Sequence, residues 1–122
     1  MTVIVSWPGK SGTAYHTELF PLGTTFNAVS GVYIACAATS QPGRWTAFYV
    51  GEAKSLYDRL NANVSAHDGL VCASRRGATH IAAMRTNGDT ERLRIETDLR
   101  HGLNPPCNKQ PVPVRVPARQ AL

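Results

Sequence analysis

Two segments rich in β-branched and aromatic residues, GVYIACAA from Gly31 to Ala38 and WTAFYV from Trp45 to Val50, are separated only by TSQPGR. A Pro-Gly turn between two such segments closes a hairpin, so the chain is predicted to build its centre from this pair of strands. Everything else has to pack on them. The chain begins with a second alternating pair, MTVIVS and Tyr15 to Phe20, around the turn sequence PGKSGT. This reads as an amino-terminal hairpin over residues 1–28.

After Gly51 the apolar spacing changes from two to three and four: Ala53, Leu56, Leu60 and Val64 share one face and predict a helix over 53–65. A short helix is expected near 68–76, ended by Gly77. A third central strand is expected over 79–84, a turn at Asn87-Gly88, and a last helix over 89–101 with Gly102 as its stop. Five of the eight prolines lie from Pro105 onward, so residues 109–122 read as an extended, basic, Pro-rich tail. Strands and helices without strict alternation make an α+β domain.

At 122 residues the chain is one domain by length, and 43% hydrophobic with 17% charged residues places it among globular proteins. The longest apolar run, near 32–38, is far short of the roughly 18 to 20 residues of a membrane span. No membrane association is expected. Cys36, Cys72 and Cys107 are odd in number and widely spaced, without a C-x-x-C pair, which reads as a reducing, cytoplasmic setting. The net charge of +5 favours an anionic partner, although Lys109, Arg115 and Arg119 of the tail supply part of it.

Chemistry first shows itself as a misplaced charge. On the last helix Glu96 falls within the apolar arc of Leu93, Ile95, Leu99 and Leu103, where an unpaired carboxylate would cost several kcal/mol. It needs a cation, a hydrogen-bond donor or a metal ion. Arg59 flanks the Leu56 and Leu60 face, so a structural Arg59–Glu96 ion pair is one reading. Five residues and tripeptides in order make another: Gly31-Val32-Tyr33, Tyr49-Val50-Gly51, Arg59, Glu96 and Asn108.

This ordered set resembles the GIY-YIG nuclease superfamily, over about residues 30 to 108. YVGEAKSLYDRL, from Tyr49 to Leu60, and IETDLRHGLNPPCN, from Ile95 to Asn108, are the segments most similar to it. The resemblance implies a three-stranded mixed or antiparallel central sheet flanked by helices, here a nuclease domain over 29–108 with the added amino-terminal hairpin. It implies a metal-dependent endonuclease that hydrolyses phosphodiester bonds. Glu96 would hold one Mg²⁺ or Mn²⁺, which retains most of its waters. Arg59 would hold the scissile phosphate through its forked, permanently charged guanidinium. Tyr33 or Tyr49 would position the attacking water or take its proton, and Asn108 would support the site.

The sequence departs from the family in two places. Where several members carry a His or Tyr four residues after the arginine, this chain has Asn63, which cannot accept a proton. His67 lies two helical turns after Arg59 and would return to the same face if the helix continued, making it a second candidate for the base. Glu52 stands where a lysine follows the glycine in the repair branch. Lys54, Arg75 and Arg76 are then the candidates for phosphate tracking, with Gly51 beside the substrate. No zinc finger or helix-turn-helix signature is present, so DNA, single-stranded or duplex, would be read by this domain alone, by a homodimer, or with a protein partner. Single-stranded DNA is the preferred expectation by analogy. The alternatives are a restriction-type duplex nuclease acting as a dimer, a catalytically silent nucleic-acid-binding module, and a structural domain.

Overall fold

The computed structural model describes residues 2–108. Five strands, β1 (Ile4–Pro8), β2 (Ala14–Pro21), β3 (Gly31–Ala38), β4 (Trp45–Ala53) and β5 (His80–Arg85), form one sheet in the order β1-β2-β5-β3-β4. Every neighbouring pair is antiparallel. The α+β class holds, but the sheet has five strands where three were expected, because β2 pairs with β5 through Glu18–Pro21 and brings the hairpin into the sheet. The basic tail from residue 109 lies outside the described residues. Among the described residues no helix is long and apolar enough to cross a membrane.

Both faces of β3 are covered, which is why it reads as an unbroken apolar run. Val32, Ile34 and Cys36 point to one face and meet Ile95 and Leu99 of the long helix α2 (Gly88–Leu103). Tyr33 and Ala35 point to the other, under the short helix α1 (Asp68–Arg75). On β4 the register slips opposite the Ala35–Cys36 step, so Ala35 faces Tyr49 while Cys36 faces Ala47. Phe48 is the extra residue of this bulge, and Phe48 and Tyr49 both join the face of Tyr33.

The helix expected over 53–65 is not formed. Ala53 is still strand, paired with Gly31, and the chain turns only at Leu56, whose amide donates to the Val29 carbonyl. There follows a single π-helical turn, Asp58–Ala62, closed by the Asn63 amide on the Asp58 carbonyl, and then a 3₁₀ turn, Val64–Ala66. Asn61 explains the interruption: its amide bonds the Phe26 N–H and the Thr24 carbonyl, anchoring the turn to the preceding loop. Leu56 and Leu60 are buried as the period required, whereas Val64 is exposed.

Helix α1 ends as foreseen before Gly77, whose φ of +105° suits glycine. Helix α2 passes through Gly102 and ends at Leu103, with Asn104 in the left-handed region at φ 48°. Gly102 serves close approach instead of termination: a Cβ there would stand 2.6 Å from the Gly9 carbonyl carbon of the β1–β2 turn.

The cysteines overturn the reading of widely spaced thiols. Cys72 of α1 and Cys107 form a disulfide across 35 positions, and Cys36 alone is free and buried. A bond between α1 and the segment after α2 is invisible to sequence spacing, and with it the argument from cysteine usage for a reducing compartment falls away. Burial pushes the Cys36 thiol up to about 12, so it packs as a small apolar group.

Candidate active site

Tyr33 and Tyr49 meet on the α1 face because of glycines. A Cβ on Gly51 would stand 2.5 Å from the Tyr33 hydroxyl and 2.7 Å from the Tyr49 ring, and one on Gly69 would stand 2.3 Å from the other edge of Tyr49. Gly51 was read from the motif, whereas Gly69 carried no sequence signal; only the fold places it against the ring. The two tyrosine rings lie 6.2 Å apart, and His67 stands edge-on to both, 5.8 Å from Tyr33 and 5.1 Å from Tyr49.

His67 reaches this position without the continuous helix the sequence called for. It is fully buried, at the N-cap of α1, where its Nδ1 accepts the Leu70 amide at 3.3 Å. A ring that accepts at Nδ1 and stays neutral carries its proton on Nε2. Nε2 stands 2.5 Å from the Tyr33 hydroxyl, to which it donates that proton. Burial, then the nearby Arg59 charge, lowers the His67 pKa to about 4. Burial also raises both phenols above their usual range, Arg59 opposing it in each case.

Above these rings opens a cleft of about 560 Å³, lined among others by Tyr49, Gly51, Lys54, Arg59, Asn63 and Glu96. Arg59 comes from the π-helical turn and takes part in none of the ion pairs among the described residues. Glu96, 8% exposed, is paired instead with Arg100 one turn along α2, Oε1 accepting from Nε at 2.9 Å. The structural Arg59–Glu96 pair is therefore not formed. Burial raises the Glu96 carboxyl above its usual range, with Arg100 pulling the other way. Glu52, beside Glu96 in the cleft wall, is held by the buried Arg92, which also bonds Asp89 at 2.9 Å and Ser30 at 3.2 Å. Sequence reasoning missed Arg92, since its burial depends on the contact between α2 and β4.

Asn108 is committed to the backbone. Its Oδ1 accepts the Val50 amide at 2.9 Å and its Nδ2 donates to the Val50 carbonyl at 2.7 Å, while the Cys107 amide donates to the carbonyl of the bulge residue Phe48. The segment after α2 thus satisfies the outer edge of β4 on both sides of Tyr49, and the disulfide ties it to α1. Lys54 is exposed at the cleft. Arg75 and Arg76 are exposed at the far end of α1 and are not among the residues lining the cleft.

Residues that could hold a divalent ion reduce to the carboxylates of the cleft. No group of three or more His, Cys, Asp or Glu converges among the described residues. Glu96 suits a sparsely ligated ion: its Oε1 is steadied by Arg100, and no hydrogen bond from the described residues occupies Oε2. A single carboxylate would fit an ion that keeps water ligands, such as Mg²⁺ or Mn²⁺, and not zinc, which takes several protein ligands. No family model, curated protein or solved structure matches the chain.

Proposed function

We propose that the chain is a metal-dependent DNA endonuclease of the GIY-YIG kind, hydrolysing phosphodiester bonds with single-stranded DNA as its preferred substrate. One observation carries the reading: Tyr49, Gly51, Arg59 and Glu96, singled out by order in the sequence, line one cleft, with Tyr33 and His67 directly behind Tyr49. Arg59 has its guanidinium free of carboxylates among the described residues, so it can hold the scissile phosphate and the charge that grows on it. Glu96 would hold one Mg²⁺ or Mn²⁺, which stabilises the leaving oxygen when bound.

Tyr49 is the phenol that lines the cleft, and it orients the attacking water. Burial raises its pKa and the Arg59 charge opposes the rise, so it is protonated at neutral pH and orients the water through its hydroxyl without taking the proton. Tyr33 is fully buried and acts through Tyr49, held in place by the Nε2–H of His67. Asn108 holds β4 so that Tyr49 keeps its place. Lys54 tracks phosphate at the cleft rim, and Arg75 and Arg76 are left for more distant contacts.

Incubation with labelled single-stranded and duplex DNA, with Mg²⁺, Mn²⁺ or EDTA, tests the reading. Metal-dependent cleavage, faster on single strands, is expected, with losses of about 100-fold or more in Glu96→Gln and Arg59→Ala. Both variants should stay folded. Failure of the folded wild-type protein to cut any of these substrates would overturn the proposal.

A further inference from the structure

The amino-terminal hairpin lies outside the stretch that resembles nucleases, yet its turn is built into α2. Asp98 is the socket: its carboxylate accepts from the Ser11 amide at 2.9 Å, the Ser11 hydroxyl at 2.6 Å and the Tyr15 hydroxyl at 2.6 Å. The Lys10 amide donates to the Asp98 carbonyl at 3.0 Å, and Gly102 admits the turn's backbone. These bonds hold the Asp98 carboxyl below its usual range and occupy its lone pairs with donors from the turn. The turn and helix enclose a second groove, of about 650 Å³, lined by Lys10, Ser11, Arg94, Thr97 and His101. His101 Nε2 is buried without a hydrogen-bond partner among the described residues.

The groove adjoins the cleft. Leu93 lines both, and its side chain is 48% exposed on an otherwise polar stretch of α2. A groove flanked by Lys10 and Arg94, with its one carboxylate, Asp98, taken up by the turn, lies beyond an exposed apolar side chain and next to a cleft carrying Arg59 and Lys54, which suits a chain of phosphates with bases between them. We propose that this groove, made by the hairpin turn and α2, binds the continuation of the single-stranded DNA seated in the cleft. Lys10 and Arg94 meet its phosphates and Leu93 supports a base where the strand crosses the helix. The inference rests on the nuclease reading of the cleft and extends it to a longer footprint.

Binding of labelled oligothymidylates of four and twelve nucleotides, in EDTA over a range of salt, tests it. Two proteins are compared with the wild type: Lys10→Ala/Arg94→Gln, and Thr97→Glu, which places an acid in the groove while removing no hydrogen bond found in the structure. For the twelve-mer, both should weaken binding at least several-fold. The double variant should also flatten the plot of log K against log salt by about 1.4, two phosphate contacts on a single strand. Tetramer binding should be unchanged. Equal twelve-mer affinity in wild type and both variants would overturn the groove and leave the cleft reading standing, as would equal losses on both lengths. A wild-type protein that binds neither length would overturn both.

Discussion

On the α2 face of the sheet the core is made of large side chains: Trp7, Tyr15, Ile34, Ile95 and Leu99 interlock, and the Trp7 indole finds Thr17 at 2.9 Å. On the α1 face Leu56, Leu60 and Ile81 are interspersed with small residues, Ala35, Ala53, Ala73, Ala78 and Ala83, and a disulfide joins α1 to the segment after α2. The first face holds itself by buried hydrocarbon. The second adds a covalent link, and it is the face that carries Tyr33, Tyr49 and His67. Small residues let phenol, imidazole and backbone approach closely, as Gly51 and Gly69 show, where a filled core would keep them apart.

The comparison is sharpest where the link is removed. Opening the Cys72–Cys107 bond with a dithiol, or replacing both residues by Ser, should cost about 4 kcal/mol from the chain entropy of a loop of this length. Denaturant unfolding measures it, and a cost near zero would show that the α1 face stands on packing alone. Leu99→Ala on the opposite face should cost about 3 to 4 kcal/mol through the cavity it leaves at a fully buried position. Here the loss should be the same with the disulfide open or closed, and a large coupling between the two changes would break the division into two faces.

Acid should act through the α1 face. The His67 pKa is about 4 in the folded protein against an ordinary 6.5, so the unfolded chain binds the proton more readily between these values. Its contribution to stability is therefore lost as pH falls from about 6.5 to 4, by up to about 3 kcal/mol. Stability curves of wild type and His67→Gln over that range test this, and parallel curves would show that His67 does not titrate with unfolding. The smallest change belongs to the hydrocarbon face: Thr17→Val leaves the Trp7 N–H unpartnered and should cost about 1 to 2 kcal/mol. Thermal melts would place it, and a neutral result would mean that the indole finds another acceptor.

The sequence by itself determined the strands, the β3–β4 hairpin, the α+β class, and the order of Tyr33, Tyr49, Arg59 and Glu96, because alternation, turn residues and motif spacing are local. It did not place that hairpin, which was expected at the centre: β5 took the middle of the sheet and left β4 at the edge. It also identified Glu96 as a charge placed among apolar neighbours, since helical period alone puts it there. It could not choose its partner: Arg100, one turn away, took the carboxylate that Arg59 was a candidate to hold. Only the tertiary structure decided the long-range matters. The hairpin joined the sheet through β2–β5 pairing, Asn61 broke the expected helix by bonding a distant loop, and His67 met Tyr33 from the start of a different helix. Cys72 and Cys107 paired across 35 positions. Each depends on two segments brought together by packing, and local propensity holds no record of which distant segment will arrive.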